Sequence, residues 1–304
     1  MELTVLGAAP AYSDRRASAA SSYLLRAGGA TAGGIGGGTD GSRGGAALLL
    51  DLGQGSFANL AATLEPSALT AVLVSHLHPD HFVDLIPLRH YLKWEFDPPR
   101  RVRVLGPAGL AGRIDALDGQ PGFAAQALDV ETLSEGVLRI GPFEVEVRRV
   151  THTEESYAFR VVEVGGGLDA AAGGSGSAAG GSGSAGARPG RGIGAGLVAA
   201  GPGHGIGPGL VYSGDCARAD DLAPLIRPGD TLLTEASFGA GPVAPGAQHL
   251  TSGDAARVAA AGGAVRLLLT HVLSGHSRPD ALAAAQAAFS GPVWLVTEGD
   301  RFEV

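Results

Sequence analysis

The sequence predicts an α/β protein made of two mixed β-sheets with helices on their outer faces. Three observations carry this. Short apolar runs rich in Val and Leu recur from the first residues to the last, and such runs mark strands covered on both faces. Some runs follow one another directly and others are separated by helical stretches, a pattern that suits layered mixed sheets. Two glycine-rich segments, 28–47 and 165–209, are each bracketed by strand-like sequence, so each reads as an expanded hairpin connection.

The elements follow in order. "ELTVLG", "SSYLLRA" and "AALLLDLG" read as strands, and "SFANLAATL" as a helix. "TAVLVSH" is the apolar run expected of a buried strand. "HFVDLIPLRHYLKWEF" places Phe82, Leu85, Ile86 and Leu92 at helical spacing. "RVRVLGP", "LRIGPFEVEVRRVTH", "YAFRVVEV", "GLVYSGD", "DTLLTEAS", "VRLLLTH" and "GPVWLVTEG" read as further strands, with helices over "SGDAARVAAAG" and "RPDALAAAQAAF".

Composition narrows the function. The chain has 304 residues, 45% hydrophobic and 17% charged, which fits a soluble globular protein with a substantial core. Both glycine-rich segments lack the apolar side chains that offset backbone entropy, so they read as flexible inserts within one domain spanning 1–304. No apolar run approaches the roughly 18 residues of a membrane span. The start "MELTVLGAAP" has no basic region or long apolar core, so the expected location is the cytoplasm. Cys216 is the only cysteine, which rules out an intrachain disulfide and a thiolate metal cage. A net charge of -8 weighs against nucleic acid as a partner unless a local basic patch compensates.

The heptad "SHLHPDH", Ser75 to His81, poses the functional question. Three histidines and an aspartate stand at the end of a predicted strand. Extended backbone puts His76 and His78 on one side; Pro79 then ends the strand, and Asp80 and His81 follow as the chain enters a helix. The cluster is either a metal site or a polar loop rich in histidine. His152, Asp215 and His271 each follow a strand-like run, so they can converge on the same place. His204 lies in the second glycine-rich segment and His90 in a helix, and both read as surface or structural residues.

With those residues in view, the sequence resembles the metallo-β-lactamase superfamily, whose fold is an αββα sandwich. "SHLHPDH" matches its HxHxDH motif, Asp51 in "LLLDLGQGS" matches the motif before it, and His152, Asp215 and His271 match the later motifs in order. The resemblance implies two divalent metal ions. His76, His78 and His152 hold one, Asp80, His81 and His271 hold the other, and Asp215 bridges them. Zinc is the first expectation; His and carboxylate ligands also suit manganese and iron. Asp51 is expected to orient ligands. Asp215 stands where some β-lactamases carry a metal-binding cysteine, and Cys216 beside it reads as packed.

The opening "LTVLGAAPAYSDRRASAASSYLL" and the later "LLTEASF", "HLTSGDA" and "LLLTH" resemble the ribonuclease Z-like and cyclic nucleotide phosphodiesterase branch. This implies Glu235 and His249 as a catalytic pair, with His249 protonating the leaving oxygen, Glu235 orienting it and Asp80 helping to position or deprotonate the nucleophile. Thr234 stands where the ribonuclease motif has a histidine, and a Gly/Ser/Ala insert stands where ribonuclease Z carries a tRNA-binding arm. The expected activity is therefore hydrolysis of small phosphodiesters, above all 3',5'-cyclic nucleotides such as cAMP. The alternatives are tRNA 3'-end processing, a lactonase, and a non-catalytic binding protein of the same fold. Members of this branch often form homodimers.

Overall fold

Alternation along the strands builds the fold. In "ALLL", Leu48 and Leu50 point to one side and Leu49 to the other, yet all three are fully buried. A strand can bury both faces only when each is covered by another layer. The computed structural model describes residues 1–28, 45–164 and 207–304, and supplies those layers.

The first sheet takes β1 (Glu2–Gly7), β2 (Ser22–Arg26), β3 (Ala47–Leu50), β4 (Ala71–Leu73), β5 (Val102–Gly106) and β6 (Leu128–Thr132) in sequence order. The second takes β7 (Gly136–Ile140), β8 (Phe143–Val150), β9 (Ser156–Glu163), β10 (Leu210–Tyr212), β11 (Thr231–Glu235), β12 (Arg266–Thr270) and β13 (Val293–Leu295). The last strand, β14 (Arg301–Glu303), returns to the first sheet beside β1 and completes seven strands in each. Both sheets are mixed: β3 to β6 run parallel, as do β10 to β13, while the remaining pairs are antiparallel.

Three apolar clusters fill the layers. Leu25, Leu48, Leu50 and Leu73 meet Phe143, Val145, Phe159, Leu233 and Leu268 between the sheets. Leu24, Leu49, Val72 and Val104 face outward against α1 (Ser56–Thr63), α3 (Leu85–Trp94) and α4 (Leu110–Asp118) through Leu60, Leu88, Leu92 and Ile114. Val211, Leu232, Leu267 and Leu269 do the same against α5 (Ser252–Gly262) and α6 (Arg278–Ala288) through Ala255, Ala259 and Ala285. Each fully buried Leu of this kind contributes about 1.5–3 kcal/mol, so the period-two pattern drives three layer contacts at once. The result is the expected αββα sandwich.

Several local expectations change. "HFVDLIPLRHYLKWEF" holds two helices, because a short helix α2 (Pro79–Phe82) ends before α3 begins. Asp84, at the junction, accepts a hydrogen bond from Phe57 N at 2.8 Å and so ties the break to α1. Strand β4 stops at Leu73, and His76 and His78 sit in the loop beyond it. Pro79 opens α2, where its missing N–H leaves no intrahelical bond unmade. Sequence reading misses α4, β6 and β14. The last is three residues paired with β1 across the whole length of the chain, a contact no local pattern encodes.

The two glycine-rich segments do join neighbouring antiparallel strands, β2 to β3 and β9 to β10. Their expected flexibility concerns residues 29–44 and 165–206, which lie outside the described residues, as does His204. The flanks of the two inserts meet: Gly28 N donates to both carboxylate oxygens of Glu163, each at 2.9 Å.

Candidate metal centre

All the candidate residues gather at one end of the sandwich, where the parallel strands finish. Asp51 directly follows β3, and the heptad follows β4. Asp215 follows β10, Glu235 closes β11, and His271 directly follows β12. His152 comes from the connection between β8 and β9, at the same end, because β9 runs antiparallel to β10. Carboxyl ends of parallel strands are where α/β proteins form their sites.

Local backbone makes this convergence possible. Asp51 and His271 have φ of 58° and 61°, a left-handed conformation that costs a side chain about 1–3 kcal/mol and clusters at functional sites. Gly214 shares it at φ 56°, and a Cβ there would lie 2.7 Å from Tyr157 O. Only glycine lets the chain turn there and aim Asp215 at the histidines.

The seven residues assigned to metal by resemblance form two touching groups. His76, His78, His152 and Asp215 present ligand atoms within 4.8 Å of one another, and so do Asp80, His81 and His271. In the first, His78 Nδ1 lies 3.0 Å from His76 Nε2 and 3.3 Å from His152 Nε2. In the second, His271 Nε2 lies 3.1 Å and His81 Nε2 3.8 Å from Asp80 Oδ2. Asp215 stands between them, with Oδ2 3.7 Å from His76 Nε2 and Oδ1 3.4 Å from His81 Nε2.

Hydrogen bonds outside the cluster fix which ring nitrogens face inward. The Asp51 carboxylate only accepts, so at 2.7 Å His81 Nδ1 must carry a proton, and Nε2 is the nitrogen that faces the cluster. His152 Nδ1 likewise donates to Gln248 O at 3.0 Å. Ser75 Oγ donates to Asp51 at 2.7 Å and so accepts from His76 Nδ1 at 3.1 Å. Asp51 also accepts from Ser75 N and from Tyr212 Oη, both at 2.6 Å. Asp51 therefore holds His81 directly and His76 through Ser75.

Burial and charge set the protonation states. Burial favours a neutral Asp215, but the charges of His271 and His81 outweigh it and hold its carboxyl well below the usual range. Asp80, opposed by burial and favoured by His81 and His271, falls to about 2. Burial and the neighbouring His81 push His76 well below the usual imidazole range. Burial opposes charge on His81 and His271 too, but Asp215 and the neighbouring carboxylates outweigh it and raise both above the usual imidazole range. The cluster thus combines ionised carboxylates with a neutral His76, and a cation held by His81 and His271 would displace protons from them.

The chemistry of the donors fits divalent metal ions. His81 Nε2 and Asp215 Oδ1 are buried with no hydrogen-bond partner, although they face each other. Leaving such atoms bare costs free energy, and a shared cation is the partner that satisfies both. Beside them, His249 Nδ1 lies 3.0 Å from Glu235 Oε1 and 3.7 Å from Asp215 Oδ2, with its side chain 22% exposed.

Cys216 points away from this cluster. Its thiol donates to Arg218 O at 3.0 Å and packs among Leu222 and Leu225. The packing is as expected, and it arises in the loop beyond β10, where Asp215 and Cys216 both lie. His90 stands exposed on α3 against Phe123, remote from the cluster. Sequence reasoning passes over Ser75, Tyr212 and Ser237. Their positions inside "SHLHPDH", "VYSGD" and "TEAS" were the available signal.

Two seven-stranded sheets, helices on both outer faces and a His/Asp cluster at one end define a metal-dependent hydrolase of the metallo-β-lactamase fold. The model of a beta-lactamase superfamily domain matches residues 48–272, and the chain belongs to that superfamily, in its ribonuclease Z-like branch. Ribonuclease BN of Cronobacter sakazakii is 28% identical over 262 residues, covering 79% of this chain and 84% of that protein. The crystal structure of the metallo-beta-lactamase fold protein YhfI from Bacillus subtilis matches with a TM-score of 0.71 at 21% identity, covering 99% of each chain. Human tRNase Z, short form, matches with a TM-score of 0.64 at 21% identity, covering 100% of this chain and 99% of that one. No described helix is long and apolar enough to cross a membrane.

Proposed function

We propose that the chain is a dinuclear metal-dependent phosphodiesterase of the cytoplasm that hydrolyses small phosphodiesters, above all 3',5'-cyclic nucleotides such as cAMP. The observation that carries this reading is the Glu235–His249 pair at 3.0 Å beside both candidate ligand groups, with Glu235 buried and His249 partly exposed. His76, His78 and His152 would hold one ion, Asp80, His81 and His271 the other, and Asp215 both. Two such ions, zinc first and manganese or iron as alternatives, supply Lewis acidity and lower the pKa of a water towards ~7.

The protein's own groups divide the remaining work. His249 holds a proton at the ring nitrogen opposite Glu235 and gives it to the leaving oxygen. Burial disfavours that charge, but the hydrogen bond and charge of Glu235, with Asp215 beyond, outweigh it and lift His249 to about 9. Glu235 keeps the ring in place: its Oε1 also accepts from Cys216 N at 3.0 Å and cannot swing away freely. Asp80 helps to position the attacking water.

A second reading, tRNA 3'-end cleavage, is favoured by the relative named Ribonuclease BN. The net charge of -8 and the two arginines of the second insert, Arg188 and Arg191, weigh against a tRNA clamp, which needs several phosphate contacts. Lactone hydrolysis uses the same kind of metal pair and ranks third.

Metal-loaded protein should be assayed against cAMP, cGMP, bis(p-nitrophenyl) phosphate, a pre-tRNA and a lactone. Turnover of the cyclic nucleotides is expected; activity confined to the lactone would refute both phosphodiesterase readings. His249→Ala should lower kcat by about 10²–10⁴ with metal content unchanged. Loss of metal in that variant would make His249 a ligand instead.

A further inference from the structure

We propose that Ser237 is a positioning residue that transmits the charge of Glu235 to two histidines at once: His249 on one side and the candidate metal ligand His271 on the other. The inference rests on the site reading above but concerns a residue outside both ligand groups. Ser237 is fully buried, and its hydroxyl oxygen touches three polar groups. They are Glu235 Oε2 at 2.5 Å, His271 Nδ1 at 3.0 Å and His249 Nδ1 at 3.2 Å.

A count of protons sets the direction of each bond. Glu235 Oε2 is a carboxylate oxygen and only accepts; it also takes Ser237 N at 3.1 Å. The single hydroxyl proton of Ser237 is therefore spent on Glu235. What remains on the oxygen is lone pairs, so both ring nitrogens facing it must be N–H groups. His249 Nδ1–H is shared with Glu235 Oε1 at 3.0 Å. His271 Nδ1–H has Ser237 as the one hydrogen-bond partner described for it. With Nδ1 turned to Ser237, His271 presents Nε2 to Asp80 Oδ2, 3.1 Å away, and to Asp215 Oδ1, 3.8 Å away.

His76 is held in a comparable way, through the Ser75 hydroxyl to Asp51, but two other rings are held directly. His81 donates directly to the carboxylate of Asp51 and His152 to a backbone carbonyl. His271 reaches its carboxylate only through a hydroxyl, and that hydroxyl also steadies His249. Removing the oxygen frees the tautomer of His271 and loosens His249 in the same stroke. Ser237 therefore links metal retention to proton delivery, two properties that Asp51 does not connect.

The test compares Ser237→Ala with Ser237→Thr, which keeps the hydroxyl. Competition with a chelator, which needs no substrate, should show the more weakly bound of two Zn²⁺ ions losing affinity by roughly 10–100-fold in the alanine variant and regaining it in the threonine variant. With bis(p-nitrophenyl) phosphate as the probe, kcat should fall by a similar factor in S237A while KM stays within about threefold. Unchanged metal affinity in S237A would overturn the proposal. Should S237A fail to fold, a nitrogen-detected proton spectrum of zinc-loaded wild-type protein decides alone: a proton on His271 Nδ1 supports the assignment, and its absence refutes it. If the phosphodiesterase reading fails, wild type is inactive on the probe, but the chelator and tautomer results still stand or fall by themselves.

Discussion

Two buried aspartates in the second sheet, Asp230 and Asp215, sit at opposite ends of it and are used in opposite ways. Asp230 precedes β11 and is fully buried. Its Oδ1 accepts from Arg160 Nη2 and Gly209 N, both at 2.9 Å, and its Oδ2 from Arg160 Nε at 2.8 Å and Arg227 N at 2.9 Å. Asp215, 2% exposed, has Oδ1 without a hydrogen-bond partner and histidine nitrogens standing off at 3.4 to 3.8 Å. One carboxylate is closed by protein donors; the other is kept open. Burial and residue type are shared, so neither distinguishes a structural carboxylate from a functional one. Partner satisfaction does: a closed carboxylate has its oxygens taken up by protein donors, and an open one keeps an acceptor that a cation can use.

Breaking the open end should have the largest effect on activity. Asp215→Ala removes the group shared by both ligand sets. It should cut bound zinc, measured by elemental analysis, to one ion per chain or fewer, and lower phosphodiesterase turnover by about 10³, the equivalent of roughly 4 kcal/mol. Retention of two ions would show that Asp215 is not a ligand. Breaking the closed end should spare the chemistry and damage the fold. Asp230→Ala leaves the Arg160 guanidinium buried without its carboxylate, and urea denaturation should report a loss of about 3–5 kcal/mol. Its zinc content should match wild type; zinc loss in a folded variant would mean that the two ends are coupled.

The smallest effect should come from the second insert. It leaves β9 at Glu163, whereas His152 precedes the start of that strand; β9 is eight residues long, roughly 26 Å of extended chain. Replacing residues 166–206 by a short polar turn should leave zinc content and hydrolysis of a small diester within about twofold of wild type. A tenfold loss would place the insert in the small-substrate site after all. Loss of pre-tRNA cleavage alone would instead favour the nuclease reading.

The two ends also differ in how far they can be read from sequence. The open end is legible because its candidate ligands are rare residue types at strand ends: His76, His78, Asp80 and His81 within one heptad, and His152, Asp215 and His271 each after an apolar run. The groups that hold those ligands are less visible. Ser75, Ser237 and Tyr212 are common residues whose role depends on contacts with residues distant in sequence, such as Tyr212 Oη on Asp51 at 2.6 Å over 161 residues of sequence. The closed end is silent for the same reason. Nothing near Arg160 announces Asp230, 70 residues away.

By itself, the sequence determined the layered α/β architecture, the strands that carry it and the residue types able to bind metal. Those depend on periodicity and on side-chain chemistry, both of which are local. Only the tertiary structure decided that Ser75, Tyr212 and Ser237 hold the candidate site in place, that the β4 strand ends before the heptad, and that one of two buried aspartates is left open. Those outcomes depend on which strand ends lie side by side and on where each proton goes, and both are set by contacts between distant parts of the chain.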